Sequence, residues 1–206
     1  MDDARSRAHW DRKFKEGLPS LTTPDPFFVS AYRSIVVQSL PNGGRALDLA
    51  AGLGRHALWL AERAWQVSAV DVSAVAIEKL GQTARHLNVD ISLFTMDVAE
   101  YTFEPAGFDL VVLFYHLDRD LFPKIISALK PGGVFIGKMA VRWSMETELV
   151  KTSMTPLVRH ELTSLVPGLE ILHHRERPVR DRGVVEFVGR KADTEDPPAY
   201  GRARES

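Results

Sequence analysis

The chain has 206 residues, of which 45% are hydrophobic and 26% are charged, and its formal net charge is −1. These values are ordinary for one soluble globular domain, and a charge so close to zero gives no long-range attraction to nucleic acid or to an anionic membrane. The chain contains no cysteine, which excludes disulfides, thiolate metal sites and a cysteine nucleophile, and we expect no metal site.

The N-terminal segment, residues 1–41, is predicted to be a polar tail followed by a helical cap. The tail, which reaches to about residue 16, is expected to fray and to lead into a short helix. Its charged start lacks the apolar core of a secretion signal, and the longest apolar run, 108–117, is too short to span a bilayer. Proline residues bracket a second, apolar helix at 27–40. We therefore expect a cytoplasmic protein with no membrane partner.

The core, residues 42–191, alternates between apolar runs and amphipathic segments. The predicted strands are 45–50, 66–71, 91–95, 108–114 and 133–139, and the predicted helices are near 55–64, 74–87 and 119–129. Continuous apolar runs are typical of parallel strands that are buried on both faces. Their alternation with helices implies right-handed βαβ units and a parallel sheet.

The pattern changes after residue 140. A helical region is predicted over roughly 144–166, and strand-like runs follow at 169–174 and 183–189. The gap between these two runs is too short for a crossover helix, so an antiparallel pair is expected. Residues 192–206 carry prolines and charges with little apolar content, and they are predicted to be a disordered tail.

A glycine-containing bend follows the first core strand. Asp48 lies inside the end of that strand, and Gly52 and Gly54 precede a helical pattern. Glycine allows a sharp turn and a close approach to a ligand, and the free N–H groups of the next helix point at that ligand. Asp71 closes the second strand, where an acid can accept both hydroxyls of a ribose. The sequence therefore predicts a binder of a nucleoside cofactor.

Two cofactor classes are compatible with this bend. Residues 52–57 fit the loose dinucleotide pattern G-x-G-x-x-G/A, which keeps an NAD(P)-dependent oxidoreductase as an alternative. The carboxylate of Asp48 argues against it, because it would repel an anionic pyrophosphate and attract an amino group or a sulfonium cation.

The order of motifs resembles that of the class I S-adenosylmethionine-dependent methyltransferases. The resembling segments are ALDLAAGLGR at 46–55, VSAVDVS at 67–73, FTMDVAEY at 94–101, FDLVVLFYHL at 108–117 and LKPGGVFIGK at 129–138. The resemblance implies an α/β fold: a Rossmann-like, doubly wound, seven-stranded sheet with a reversed last strand and helices on both faces. It also implies S-adenosylmethionine as cofactor and S-adenosylhomocysteine as product. Ala51 departs from the cysteine that many relatives have there.

Segments outside these motifs resemble the tellurite-resistance and thiopurine-type branch of small methyltransferases. They are HWDRKFKEG at 9–17, PDPFF at 24–28 and HLDRDLFPKIISALKPGG at 116–133. This resemblance implies a small-molecule methyl acceptor whose nucleophile is sulfur, selenium, tellurium or another heteroatom, with no nucleic-acid partner. The sequence leaves the oligomeric state and the identity of the acceptor open.

The class I resemblance also assigns cofactor roles to single residues. Gly52 and Gly54 would lie along the methionine end, Asp48 would meet the amino group directly or through water, and Asp71 would hold the ribose. Asp71 could instead cap the following helix. The predicted cofactor-binding set is completed by Trp10, Ala50, Arg55 and Phe114.

The adenine ring is expected farther along the sheet. Asp97 would accept a hydrogen bond from the adenine amino group, and Val72, Met96 and Val98 would enclose the ring. Plain core packing of these apolar side chains is the alternative. Trp10 is expected either to close over the cofactor together with Phe14 or to pack the N-terminal helix.

Candidate catalytic residues follow the fourth core strand. Tyr115 and His116 are expected to face the transferred methyl group, and His116 could accept a proton because the ordinary pKa of histidine is near neutrality. A structural role for this histidine is the alternative. Methyltransferases that act on amino groups of DNA bases resemble one another in having an acid or Asn followed by Pro-Pro-aromatic in this segment. This chain has Phe-Tyr-His-Leu there, which argues against methylation of an exocyclic amino group of a base.

A cationic hairpin, residues 173–182, is expected beside the substrate opening. His174, Arg175 and Arg182 could attract and orient an anionic acceptor there, or they could simply be solvated. The arginines also motivate RNA methylation as a weaker alternative. A non-catalytic S-adenosylmethionine sensor is the remaining alternative.

Overall fold

The computed structural model describes residues 3–17, 22–143, 155–179 and 182–193. The helices are α1 (Asp3–Lys15), α2 (Pro26–Ala31), α3 (Val37–Ser39), α4 (Arg55–Ala61), α5 (Ala74–Leu87), α6 (Leu121–Ala128) and α7 (Glu161–Leu165). The strands are β1 (Arg45–Leu49), β2 (Gln66–Asp71), β3 (Ile91–Thr95), β4 (Phe108–Phe114), β5 (Leu129–Val141), β6 (Leu169–Val179) and β7 (Arg182–Lys191). A π-helical segment, Tyr32–Val36, joins α2 to α3.

The strands form a seven-stranded sheet in the order β3-β2-β1-β4-β5-β7-β6. The neighbours from β3 to β5 are parallel, and β7 runs antiparallel to both β5 and β6. The predicted doubly wound sheet with a reversed last strand is therefore confirmed. The chain order reverses between β1 and β4, and ligands of such sheets bind in the crevice at the carboxyl ends of these strands.

Both faces of the sheet are buried, which explains the continuous apolar runs. In β4, Val111 and Leu113 belong to one apolar cluster, together with residues of α6 and α7. Val112 and Phe114, which alternate with them, belong to a second cluster with residues of α2, α4 and α5. A central strand such as β4 must therefore be apolar on both sides, whereas the edge strands β3 and β6 are mostly half-buried or exposed.

The predicted elements agree with the structure most closely in the first half of the core. The bounds of β2, β3, β4 and α5 are as predicted, whereas α4 ends earlier, at Ala61. Of the helical region predicted over 144–166, residues 144–154 lie outside the described residues, and α7 covers only Glu161–Leu165. The N-terminal helix is longer than predicted, since α1 starts at Asp3. Residues 194–206, in the predicted disordered tail, also lie outside the described residues.

The predicted cationic loop is largely a β-ladder, and this part of the prediction was wrong. Arg175 pairs with Glu186 and His174 pairs with Phe187 between β6 and β7. The strands continue because β7 also pairs with β5, where Gly183 lies opposite Val141. The end of β6 at Val179 and the start of β7 at Arg182 nevertheless lie at the carboxyl edge of the parallel strands, as expected.

The first helix of the helical cap, α2, starts with an N-cap side chain. Asp25 Oδ1 accepts a hydrogen bond of 2.9 Å from the backbone N–H of Phe27, and Pro26 occupies the start of α2. Phe28 is fully buried against the sheet. The cap thereby brings Asp25 to the carboxyl edge of the strands. No helix in the described ranges has the length and hydrophobicity that a membrane span requires.

Candidate cofactor and acceptor site

A cavity of about 400 Å³ opens at the carboxyl ends of β1, β2 and β4. Its walls come from the glycine bend after β1, the residues after β2 and β4, and one face of α1. This is the crevice that the sheet topology predicts for a ligand. A volume of this size is at the lower end of the range for ligand pockets, roughly 300–1,000 Å³.

The bend after β1 needs glycine at two positions for different reasons. Gly52 has a φ of 56° and lines the cavity, and a Cβ there would lie 3.2 Å from Phe14 Cζ. Gly54 has a φ of 74°, and a Cβ there would collide with the side chain of Leu80. Gly54 does not line the cavity. It allows α4 to start close to α5, whereas the bend residues that line the cavity are Ala50, Ala51, Gly52 and Leu53.

Asp71 joins the end of β2 to the glycine bend. Its Oδ2 accepts from the backbone N–H of Gly52 at 2.7 Å, and its Oδ1 accepts from the backbone N–H of Ser73 at 2.9 Å. The side chain lines the cavity, and burial raises the pKa of this carboxyl. A carboxylate has lone pairs for further hydrogen bonds, so Asp71 can also accept the hydroxyls of a ribose.

Asp48 is the most deeply buried acid of the cavity. It is 1% exposed, and its Oδ2 accepts from the backbone N–H of Ala57 at 3.0 Å. Burial raises its pKa from the ordinary value of 3.8 to about 7, and this shift is opposed by that hydrogen bond and by nearby Arg55. A ligand cation would favour the ionised carboxylate. The site is therefore suited to the amino group of a methionine moiety.

Helix α1 covers the cavity from the side of β2. Trp10 and Phe14 line it, and their predicted contact with the cofactor stays a prediction. Asp11 Oδ1 accepts from Ser73 Oγ at 2.6 Å and from the backbone N–H of Val75 at 3.2 Å. The start of α5 thus holds α1 next to Asp71.

The residues predicted around an adenine ring separate into two groups. Val72, Asp97 and Val98 line the cavity, and Asp97 Oδ1 accepts from the backbone N–H of Ala99 at 2.8 Å. Met96 does not line it and packs against the apolar cluster below. Core packing is therefore the role that the structure shows for Met96.

Phe114, Tyr115 and His116 form the wall at the end of β4. Tyr115 has a left-handed backbone with a φ of 59°, which is costly for an aromatic residue. Its hydroxyl donates to Asp25 Oδ2 at 2.9 Å, and the guanidinium of Arg55 lies 5.5 Å from the ring centre. Burial lowers the pKa of His116, and the nearby acids, Asp97 first, oppose this shift.

Two of the three residues predicted on the last hairpin, His174 and Arg175, lie away from the lining of this cavity. His174 lies in β6, where its Nε2 is 3.5 Å from Glu176 Oε1, and Arg175 is exposed. Neither lines the cavity. The backbone of Arg182 starts β7, and its side chain lies outside the described residues.

A buried charge network beside the cavity was not predicted. Lys138 Nζ lies 3.1 Å from both oxygens of Asp25 and 3.1 Å from Glu186 Oε1. Arg177 Nη2 donates to the same Glu186 oxygen at 3.0 Å. Lys138 and Glu186 are charged residues within apolar strands, and buried charges need partners. Their occurrence in these strands was the sequence signal that could have indicated a buried ion pair.

His56 is a second residue that the sequence analysis did not assign. It lines the cavity, is 3% exposed and contacts the rings of Phe28 and Phe114. Its Nε2 accepts from the backbone N–H of Asp25 at 3.3 Å, and burial lowers its pKa to about 3. His56 is therefore a neutral hydrogen-bond acceptor for the cap.

Residues 46–133 match the family model described as a methyltransferase domain. The matched segment contains the glycine bend, Asp71, Asp97 and the Tyr115 wall. Such a domain implies S-adenosylmethionine as cofactor, as the resemblance predicted. The cavity suits this cofactor, because it offers a glycine bend and two buried acids, Asp48 and Asp71, which can accept hydrogen bonds from an amino group and from ribose hydroxyls. The match and the fold together support a class I S-adenosylmethionine-dependent methyltransferase.

A curated relative is the tRNA (uracil(54)-C(5))-methyltransferase of Pyrococcus furiosus. It is 26% identical over 134 residues, which cover 61% of this chain and 32% of the relative. The chain therefore spans about a third of the length of that relative.

Two solved methyltransferases have similar structures. The magnesium protoporphyrin IX methyltransferase of Synechocystis PCC 6803, with bound S-adenosylhomocysteine, has a TM-score of 0.71 at 12% identity, and the match covers 93% of this chain and 100% of that one. The 1,6-didemethyltoxoflavin-N1-methyltransferase of Burkholderia thailandensis has a TM-score of 0.67 at 19% identity, and the match covers 92% and 88%. At these identities the likeness shows the fold.

Proposed function

We propose that the protein transfers the methyl group of S-adenosylmethionine to a heteroatom of a small molecule. The observation that carries this proposal is one cavity that joins the acids Asp48 and Asp71 to the aromatic wall at Tyr115. When bound, the cofactor supplies an activated methyl group on a sulfonium. The protein then needs to align the nucleophile with that methyl group and to exclude water.

The size and cover of the cavity support a small acceptor. Its volume of about 400 Å³ leaves little space beyond a nucleoside cofactor, and α1 closes one side with Trp10 and Phe14. Both similar structures are enzymes whose names state small-molecule substrates. The tellurite-resistance or thiopurine-type branch remains a prediction from the sequence, as do sulfur, selenium or tellurium as the nucleophile.

A tRNA acceptor is the second candidate, because the Pyrococcus furiosus relative is a tRNA methyltransferase. Two features of this chain argue against the same reaction. The carbon at position 5 of uracil is a weak nucleophile that a thiolate can activate by addition, and the chain has no cysteine. The net charge of −1 provides no electrostatic footprint for RNA.

Calorimetry and an activity assay test the proposal. We expect S-adenosylhomocysteine to bind and NADP⁺ not to bind, and we expect S-adenosylhomocysteine to be released from S-adenosylmethionine in the presence of small amines, thiols or selenols. Binding of NADP⁺ alone would favour the oxidoreductase alternative. Tight binding without turnover would favour a sensor. Transfer to tRNA that weakens steeply with salt would favour the RNA candidate.

A further inference from the structure

The hydroxyl of Tyr115 is held by an unusually buried set of charges. Tyr115 donates to Asp25 Oδ2 at 2.9 Å, and Asp25 is 4% exposed. Lys138, which is 6% exposed, lies between Asp25 and Glu186 at 3.1 Å from each. Tyr115 itself is 55% exposed and lines the cavity. Tyr115 is therefore the cavity end of a network in which Asp25, Lys138 and Glu186 are buried.

The sheet register places this network directly behind the cavity wall. Lys138 in β5 pairs with Phe114 in β4 and with Glu186 in β7, so these side chains share one face of the sheet. The backbone N–H of Tyr115 donates to the carbonyl of Lys138 at 2.8 Å. Asp25 reaches the same point from the cap of α2. Tyr115 is thus fixed through both its backbone and its hydroxyl.

Stability alone is a weak reason for this arrangement. Buried ion pairs lose much of their attraction to desolvation and are often no more stable than apolar residues of the same size. The left-handed backbone of Tyr115 adds a further cost. Costly geometry at a cavity wall is typical of a site in which a side chain must be held in place.

The hydrogen bonds of the network determine what the Tyr115 oxygen can offer. Its single proton is given to Asp25, so Oη presents lone pairs. Lys138 has three N–H protons, and its nitrogen lies 3.1 Å from three carboxylate oxygens. Lys138 also interacts with the Tyr115 hydroxyl through a hydrogen bond. One lone pair of Oη remains for a ligand with a hydrogen to donate.

We propose that Asp25 and Lys138 are positioning residues that hold the Tyr115 oxygen so that it accepts a hydrogen bond from the nucleophilic N–H, O–H or S–H of the methyl acceptor. This inference rests on the proposed function and narrows its substrate class to neutral nucleophiles that carry a hydrogen. The hydrogen bond orients the lone pair of the nucleophile toward the methyl carbon.

In the reaction, the nucleophile's lone pair forms the bond to carbon as the carbon–sulfur bond breaks, and that electron pair stays on sulfur in S-adenosylhomocysteine. The hydrogen of the nucleophile then leaves as a proton to water. Burial alone would raise the pKa of Asp25, but hydrogen bonds from Tyr115 and Lys138 bring it below its ordinary value. The carboxylate thus stays ionised, and it anchors Tyr115 without holding the released proton.

The test compares acceptors with and without a transferable hydrogen. Aniline and 2-mercaptoethanol carry one, whereas pyridine and dimethyl selenide do not. Initial rates of S-adenosylhomocysteine release are measured for the wild type, Tyr115→Phe, Asp25→Asn and Glu186→Gln. Glu186→Gln is the matched control, because Glu186 is a similarly buried carboxylate on Lys138 whose side chain pairs with Lys138 and Arg177 and, among the described contacts, not with Tyr115.

We expect Tyr115→Phe and Asp25→Asn to lower the rates with aniline and 2-mercaptoethanol by about tenfold or more, as loss of a buried hydrogen bond implies. Rates with pyridine and dimethyl selenide, and the affinity for S-adenosylhomocysteine in calorimetry, should stay within about twofold. Equal losses for both acceptor pairs, or an effect of Glu186→Gln as large as that of Asp25→Asn, would overturn the inference. Either outcome would leave the proposed methyltransferase activity unaffected.

A second measurement needs no acceptor. The difference in tyrosinate absorbance between the wild type and Tyr115→Phe gives the ionisation of Tyr115, whose pKa burial and Asp25 raise above the ordinary value of 10.0. Asp25→Asn should lower it toward 10.0 and Glu186→Gln should not. An unchanged titration in Asp25→Asn contradicts the positioning role. A wild type that binds no S-adenosylhomocysteine contradicts the proposed function instead.

Discussion

The two sides of the cavity hold their buried acids in different ways. We propose that the cofactor binds on one side, called the cofactor side, and the methyl acceptor on the other, called the acceptor side. On the cofactor side, Asp48 and Asp71 accept hydrogen bonds from backbone N–H groups of Ala57, Gly52 and Ser73. Neither acid has an ion-pair partner within the described ranges. On the acceptor side, Asp25 and Glu186 are neutralised by Lys138 and Arg177.

This difference indicates that the two sides have different tasks. The cofactor side is a binding surface, whereas Asp25, Lys138, Glu186 and Arg177 form a rigid support for Tyr115, called the frame below. Backbone N–H groups orient a carboxylate but leave part of its charge and some lone pairs for a ligand, which suits the amino group and ribose of a cofactor. Carboxylates already paired with lysine and arginine have little left to offer. They suit the acceptor side, where a side chain such as Tyr115 must be fixed and not attracted to a ligand.

The largest expected effect tests the frame. Lys138→Met would leave Asp25 and Glu186 buried without their shared cation, and we expect a loss of about 3–5 kcal/mol in the free energy of unfolding. Lys130→Met is the matched control, since the Lys130 side chain pairs with Asp109 at 2.7 Å but is 37% exposed. Such a pair contributes about 0–1 kcal/mol. Urea denaturation measures both variants.

A loss in Lys138→Met no greater than that in Lys130→Met would contradict the frame. The double variant Asp25→Asn, Glu186→Gln adds a sharper comparison. Removing both charges before Lys138 is replaced should make the lysine substitution much less costly, because no uncompensated carboxylate remains.

The next effect tests the binding surface. Asp71→Ala should weaken the binding of S-adenosylhomocysteine by about 1.5–3 kcal/mol, because charge-assisted hydrogen bonds to the ribose are lost and the Gly52 N–H loses its partner. Calorimetry gives the dissociation constant directly. Asp90→Ala, at an exposed acid outside the cavity, should leave it unchanged. An unchanged constant in Asp71→Ala would remove this acid from the site.

The same division explains which features could be predicted from the sequence. The cofactor side is local, because Asp48, Gly52 and Asp71 lie within two consecutive strand-to-bend units whose residue types and spacing carry the chemistry. The parallel sheet could be predicted for a similar reason, since each strand is an apolar run of its own. The doubly wound, seven-stranded sheet with its reversed last strand was implied by the resemblance, and the structure confirms it.

The acceptor side is assembled over long sequence distances and could not be predicted. Asp25, Lys138 and Glu186 come from the cap, β5 and β7, and no local pattern links them. The prediction of a cationic loop was wrong for a related reason. Charged residues at 175–179 looked like a turn, but tertiary pairing with β7 extends the strand through them.

The smallest expected effect separates the two sides by pH. Burial raises the pKa of Asp48 from 3.8 to about 7, so between these pH values the folded protein holds a proton that the unfolded chain has lost. Its contribution to stability therefore falls as pH rises. Burial lowers the pKa of His56, which supports the cap, from 6.5 to about 3. Between these two pH values the unfolded chain holds a proton that the folded protein has lost, so the contribution of His56 to stability rises with pH.

The two trends overlap between about pH 4 and pH 6.5 and oppose each other in the wild type. In Asp48→Asn only the rise from His56 remains, and in His56→Gln only the fall from Asp48 remains. Each slope can reach about 1.4 kcal/mol per pH unit. Urea denaturation at two pH values inside this window measures the difference between each variant and the wild type, which cancels the other titrating groups. Parallel pH profiles for the wild type and Asp48→Asn would show that Asp48 titrates as an ordinary acid. The cofactor side would then lack the carboxylate with a raised pKa that distinguishes it from the ion-paired acceptor side.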